Sequence, residues 1–297
     1  MLEFLEEKLN AQYDKEIASK IFDGYKIKRK TTFRVNTIKS TVEEIENVLF
    51  CNNIKFERVL WSKEAFVLTD AEEKDIEKLD IYKDGKIYMQ SLSSMLPPII
   101  LNPKKDCDIL DMAAAPGGKT TQMAAISENK ANITACEMHA IRAEKLKYNI
   151  EKQGANSVYI MIRDARRIDD FFRFDQILLD APCSGSGTLN LNDANVDKFF
   201  TEKLINKSIA AQVSLLRKAL TILKSGQEMV YSTCSILREE NEDVLRKVMK
   251  EFKCEIIPIE FNGIDELPLL TTDIKGTICV CPTEYYEGFF VAKIKKY

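Results

Sequence analysis

Asp111-Met-Ala-Ala-Ala-Pro-Gly-Gly-Lys-Thr120 is the stretch on which the fold turns. The apolar run 108–112 reads as a strand and 119–127 as a helix, so the string is a glycine-rich turn from strand to helix. Glycines let the backbone approach a ligand closely, and the helix amino terminus offers unpaired N–H donors. Downstream the alternation repeats, with strands at 133–137, 158–162, 176–180 and 228–232 and helices at 141–153 and 203–223. Short apolar strands separated by amphipathic helices imply an α/β fold with a doubly wound, mostly parallel sheet covered on both faces. Two more strands, 255–259 and 288–294, complete seven and close one edge. In such sheets ligands bind outside the carboxyl ends of the strands.

Upstream, Leu5, Leu9, Tyr13 and Ile17 recur at helical spacing, so residues 1–20 read as one amphipathic helix. Phe33-Arg-Val-Asn-Thr37 reads as a strand, 42–51 as a helix, and 57–60 and 65–68 as further strands, which together make a small α/β module. Tyr88-Met-Gln-Ser-Leu-Ser-Ser-Met95 reads as a joining segment, because Pro97-Pro98 interrupts any helix there. The domain boundary is placed near residue 90, giving units 1–90 and 91–297.

The chain has 297 residues, 45% of them hydrophobic and 30% charged, enough for one sizeable domain and a smaller one. No window is apolar enough to span a membrane, and Met1 to Asn10 alternates acidic and apolar residues unlike a signal peptide, so a cytoplasmic location is expected. The eight scattered cysteines then read as free thiols. A net charge of −3 excludes a general nucleic-acid coat and leaves RNA contact to local groups. Candidates are Lys26, Lys28, Arg29, Lys30 and Arg34, and a second set Arg163, Arg166, Arg167 and Arg173, either of which could equally be a solvated face. Cys279-Val-Cys281 is spaced too closely for a zinc pair and has no second pair, so no metal is expected.

Two ligands suit the glycine-rich turn. Gly118-Lys119-Thr120 ends like a Walker A loop for a nucleoside triphosphate, but Ala113 stands where its first glycine belongs. A nucleoside cofactor such as S-adenosylmethionine instead needs a carboxylate for its ribose hydroxyls. Glu137 ends the second strand, 26 residues after Asp111, near the expected offset. Asp164 follows the third strand and suits an adenine amino group.

Asp180-Ala-Pro-Cys183-Ser-Gly-Ser-Gly187 follows the fourth strand and Tyr231-Ser-Thr-Cys234-Ser235 the fifth. If those strands are neighbours, both thiols face the cofactor crevice. Carbon 5 of a pyrimidine is a poor nucleophile; a thiolate that adds at carbon 6 activates it, and a base must then remove the carbon 5 proton. A free thiol is only a few per cent ionised at neutral pH, so it needs activation. The single histidine, His139, lies at the wrong edge, which leaves Asp180 and Lys119 as the charged candidates. Residue types and spacing do not rank the two cysteines.

The glycine-rich string, Leu179-Asp-Ala-Pro-Cys-Ser-Gly and Tyr231-Ser-Thr-Cys-Ser together resemble the Nop/Sun (RsmB-like) family of RNA cytosine-5 methyltransferases. Phe33-Arg-Val-Asn-Thr, Gln90-Ser-Leu-Ser-Ser and Gly288-Phe-Phe-Val-Ala-Lys are similar to further family landmarks. The resemblance implies a class I methyltransferase fold with an RRM-like accessory domain, S-adenosyl-L-methionine as cofactor and RNA as partner, with tRNA slightly ahead of rRNA and a monomer. It implies Cys234 as nucleophile and Cys183 as the residue that assists release. It also implies a cofactor lining of Ala113, Ala114, Ala115, Pro116, Gly117, Gly118, Lys119, Glu137, Arg142, Asp164 and Asp180. The segment 189–200 lacks the basic and tryptophan residues many members carry there. A P-loop NTPase and a non-catalytic RNA-binding assembly factor are the alternatives.

Overall fold

The computed structural model describes residues 2–193 and 200–297. The chain opens with two helices, α1 (Leu2–Gln12) and α2 (Lys15–Lys26), where one was expected. The break has a cause in the sequence: Asp14 caps α2, its Oδ1 accepting from the Ile17 N–H at 2.9 Å. The apolar face continues across the break, and Leu5, Leu9, Tyr13, Ile21 and Tyr25 are buried against the large sheet.

Next come β1 (Thr32–Val35), α3 (Val42–Cys51), β2 (Phe56–Val59), β3 (Ser62–Leu68), the single-turn helices α4 (Glu73–Ile76) and α5 (Asp80–Lys83), and β4 (Ile87–Met89). The four strands form an antiparallel sheet in the order β2-β3-β1-β4. Phe33 and Phe66 stack at 5.0 Å above Ile45 and Leu49 of α3 as its core.

Residues Leu92–Leu101 form α6, a helix that includes Pro97 and Pro98, against the expectation of an interrupted segment. Pro98 cannot donate to the Ser94 carbonyl four residues back. That carbonyl instead accepts from Gln90 Nε2 at 3.1 Å, so a side chain replaces the missing N–H.

The large sheet is built from β5 (Asp108–Asp111), α7 (Gly118–Ile126), β6 (Asn132–Glu137), α8 (Ala140–Gln153), β7 (Val158–Ile162), β8 (Phe174–Asp180), α9 (Glu202–Ile222), β9 (Leu223–Thr233), α10 (Glu242–Met249), β10 (Cys254–Ile257), β11 (Leu269–Leu270), β12 (Ile278–Val280) and β13 (Phe289–Lys296). Its order is β11-β12-β13-β9-β8-β5-β6-β7, with β10 also paired to β13. The strands β7, β6, β5, β8 and β9 run parallel, and the rest add an antiparallel edge. Among the described residues the sheet has nine strands rather than seven; β11 and β12 are too short to leave a periodic signal. Alternate residues of the strands feed two cores. Ile177, Leu179 and Tyr231 face α1, α2, α9 and α10, whereas Ile109, Leu178 and Val230 face α6, α7 and α8. Between β5 and β8 the order reverses, which opens a crevice at the strands' carboxyl ends.

Candidate active site

The turn after β5 ends on Gly117, whose φ of +109° lies where a side chain would be strained, and α7 begins at Gly118. Asp111 is buried, and its Oδ2 accepts from the Thr120 hydroxyl at 2.7 Å, which ties the strand end to the helix's first turn. A cavity of about 380 Å³ opens over this turn. Its walls include Ala113, Ala114, Ala115, Pro116, Gly118, Lys119, Asp180 and Cys234 of the expected residues.

Lys119 reaches into the cavity, its Nζ 2.7 Å from Asp180 Oδ2 and 2.8 Å from the Ser94 hydroxyl. Burial, the largest single influence, would lower the ammonium's pKa; the charge and hydrogen bond of Asp180, with the Cys234 and Asp111 groups, together outweigh it and hold the ammonium above its ordinary value. Asp180 ends β8, and its other oxygen accepts from the Ser232 hydroxyl of β9 at 2.7 Å. The parallel pairing of Asp180 with Ser232 therefore sets the carboxylate's orientation.

The same pairing brings the two cysteine turns together. Cys183 and Cys234 form a thiol–thiol hydrogen bond with their sulfurs 2.9 Å apart. This contact with Cys234, and then burial, raise the Cys183 thiol well above its usual range. The turns interlock: Gly187 donates to the Cys234 carbonyl at 3.0 Å, and the Ser186 and Ser235 hydroxyls meet at 2.8 Å. A Cβ on Gly187 would lie 2.0 Å from the Gly288 carbonyl oxygen, so the glycine is a packing requirement.

Gly117, Glu137, Arg142 and Asp164 stand outside that cavity's walls. Glu137 is buried at the end of β6, accepting from the His139 N–H at 2.8 Å and facing Arg142 Nη1 at 3.3 Å. Arg142 donates its Nη2 to the Ala115 carbonyl at 2.7 Å, so it braces the glycine-rich turn. Asp164 is clasped by Arg166, whose hydrogen bonds hold the Asp164 carboxyl below its ordinary value. His139 is exposed at the start of α8, remote from both thiols in the topology.

The first basic set is not one surface patch. Arg34 is 2% exposed and donates to Gln90 Oε1, the Gly118 carbonyl and Thr121 Oγ1, because β1 packs on the amino end of α7. Arg29 Nη2 donates to the Leu189 carbonyl at 3.3 Å. Of the segment 189–200, residues 194–199 lie outside the described residues. Cys279 and Cys281 are buried, and burial pushes the Cys281 thiol up to about 11. Among the described residues no cluster of three or more metal-ligating side chains occurs, and no helix is long and apolar enough to cross a membrane.

Sequence reasoning missed Ser94, Ser232, Glu240 and Phe289. Phe289 lines the cavity with its ring 5.4 Å from Lys119 Nζ. Ser94 and Phe289 belong to strings singled out only as landmarks, and Ser232 to the Tyr231–Ser235 string; Glu240 had no signal, since nothing local marks a buried carboxylate.

The family described as "16S rRNA methyltransferase RsmB/F" matches residues 98–295. Ribosomal RNA small subunit methyltransferase F of Shewanella oneidensis is 34% identical over 274 residues, covering 89% of this chain and 57% of its own length. The chain thus spans little more than half of that relative. A solved methyltransferase homolog protein from Pyrococcus horikoshii is 33% identical, superposes with a TM-score of 0.81, and covers 99% of both chains. NSun6 from Pyrococcus horikoshii with SFG, 23% identical, has a TM-score of 0.85 over 98% of this chain and 97% of its own, a likeness of fold. With the glycine-rich turn and both cysteine turns inside the matched range, the chain belongs to the RsmB/F family of 16S rRNA methyltransferases.

Proposed function

We propose that this chain methylates carbon 5 of cytosine in RNA, with S-adenosylmethionine as donor and small-subunit rRNA as the substrate class. One observation carries the reading: two thiols 2.9 Å apart at the ends of adjacent parallel strands, beside the Lys119–Asp180 ion pair. The family resemblance placed tRNA slightly ahead; the name of the Shewanella relative, a ribosomal RNA small subunit methyltransferase, supports rRNA instead.

The residues fit the donor. First-turn amides of α7, the small residues 113–115 and the buried Glu137 carboxylate suit a nucleoside with a charged amino-acid tail. Glu137 and Asp164 would hold the ribose and adenine, and Gly117 and Gly118 would admit the tail. The bound donor supplies a methyl group on a positively charged sulfur. Cys234 adds as thiolate to carbon 6, which makes carbon 5 nucleophilic. The Lys119 ammonium favours that thiolate, and Asp180 accepts from the amino edge of the ring. In the release step the carbon 6–sulfur bond breaks; Cys183 gives its thiol proton to the departing Cys234 sulfur 2.9 Å away and, as the thiolate so formed, takes the carbon 5 proton, which restores both thiols and frees the base. The nucleoside triphosphatase alternative loses its main residue, because Asp180 and Ser94 take up the Lys119 ammonium.

A division near residue 90 into an RRM-like unit and a methyltransferase unit belongs to the same reading. The order β2-β3-β1-β4 within a β-α-β-β-α-β chain supports it for residues 32–89, whereas α1 and α2 pack in the larger core. Bisulfite sequencing of RNA from a deletion strain tests the function. Loss of one 5-methylcytosine in small-subunit rRNA, restored by the wild-type chain and not by Cys234→Ala, is expected; an unchanged map refutes it.

A further inference from the structure

Cys183 and Cys234 are 51 residues apart, and Glu240 is the group both of their turns reach. Its side chain is 0% exposed. Ser184, next after Cys183, gives its backbone N–H to Oε1 at 2.7 Å and its hydroxyl to Oε2 at 2.5 Å. Ser235, next after Cys234, gives its hydroxyl to the same Oε2 at 2.6 Å. Gln212 of α9 adds Nε2 at 3.5 Å to Oε1 while holding the Pro182 carbonyl at 2.9 Å. Burial pushes the Glu240 carboxyl above its ordinary range, against the hydrogen bonds from Ser184, Ser235 and Gln212, and in its ionised form the carboxylate disfavours a thiolate at Cys183.

The thiols sit in unlike fields. Cys183 faces Cys234, Glu240 and the buried Tyr231, with Asp180 three residues behind it on its own turn. Cys234 faces the Lys119 ammonium as well as Cys183. A neighbouring anion disfavours a thiolate and a neighbouring cation favours one. We infer that Glu240 is a positioning residue that clamps the two cysteine turns together and whose charge keeps Cys183 a thiol, leaving attack to Cys234. The inference rests on the methyltransferase reading for the words attack and release, while the clamp and the bias belong to the protein by itself.

Iodoacetamide alkylation of the whole chain, without RNA or donor and resolved by mass spectrometry at each cysteine, reads the bias directly. Cys234 reacts first in the native protein. Glu240→Gln raises the Cys183 rate near neutral pH about tenfold, the equivalent of one unit of thiol ionisation, and Glu240→Asp restores most of the difference. An unchanged Cys183 profile in a Gln variant that melts like the parent overturns the electrostatic role. The clamp is tested separately by the double variant Ser184→Ala, Ser235→Ala, which keeps the carboxylate. Diamide-driven formation of the Cys183–Cys234 disulfide slows about tenfold in it, as expected when reacting atoms lose their alignment; parental kinetics overturn the clamp. A bias that persists while no 5-methylcytosine is lost in vivo would overturn the proposed function alone.

Discussion

Asp111 carries a carboxyl group that is 1% exposed and pushed up to about 6 from an ordinary 3.8, first by burial, against the Thr120 hydrogen bond, and further by the Asp180 charge. The folded protein therefore holds this proton more tightly than the unfolded chain. Its stabilising contribution is complete below about pH 4 and is lost as the pH rises through about 6, a change of about 3 kcal/mol for a shift of that size. Asp111→Asn does not titrate, so its urea midpoint should fall less than the parent's over that window; equal pH slopes would remove the assignment. The cysteines give two sharper expectations. Cys234→Ala should abolish methylation and leave S-adenosylmethionine binding in calorimetry intact, and residual activity would deny it the role of nucleophile. Cys183→Ala should accumulate a covalent RNA adduct, visible as a retarded band on a denaturing gel; no band means that release does not depend on it.

Gly187 and Gly288 decide how closely the proline-cysteine turn lies on the start of β13. The Gly187 N–H bonds the Cys234 carbonyl and its own carbonyl accepts from the Gly288 N–H at 2.8 Å, so one residue joins three segments. Gly187→Ala drives a Cβ into the Gly288 backbone and should cost about 1–3 kcal/mol, the usual range for overpacking. The same shift should lower methylation through misplaced thiols; a thermal melt matching the parent would show that the turns have slack. The proline-containing α6 makes a related point. Reading Pro97-Pro98 as a break was wrong: the helix runs through both, and Gln90, folded back from outside it, supplies the donor that Pro98 lacks.

At the scale of the molecule, the first two helices act as a buttress for the cysteine turns. Tyr25 donates its hydroxyl to the Ser186 carbonyl at 2.6 Å, and Gln12 and Tyr13 both donate to the Ile236 carbonyl, at 2.8 and 3.0 Å. Lys8 pairs with Glu239 at 2.6 Å. Tyr25→Phe leaves a buried carbonyl unpaired and should cost about 1–3 kcal/mol. Because its partner Ser186 belongs to the turn that carries Cys183 and meets Ser235 next to Cys234, kcat should fall more than donor affinity. A variant weakened in melting alone, with kcat intact, would confine the buttress to stability. The small sheet joins the large one through Trp61, whose Nε1 donates to the Tyr286 hydroxyl at 2.9 Å, and through Arg34 on the amino end of α7.

The order of strands and helices, the glycine-rich turn and the position of each cysteine at a strand end were legible in the amino-acid sequence, because period, turn chemistry and motif spacing are local properties of a chain. The split between α1 and α2 was missed, although Asp14, a residue type that caps helices, stands at the break. The helix through two prolines, the two extra edge strands, the burial of Arg34 and the meeting of both cysteine turns on Glu240 were not legible. Each depends on a partner distant along the chain: Gln90 for Ser94, β13 for β12, Gly118 for Arg34, Ser184 and Ser235 for Glu240. Tertiary structure decided these because a hydrogen bond or a desolvated charge is set by what folding brings near, which no local window of residues contains.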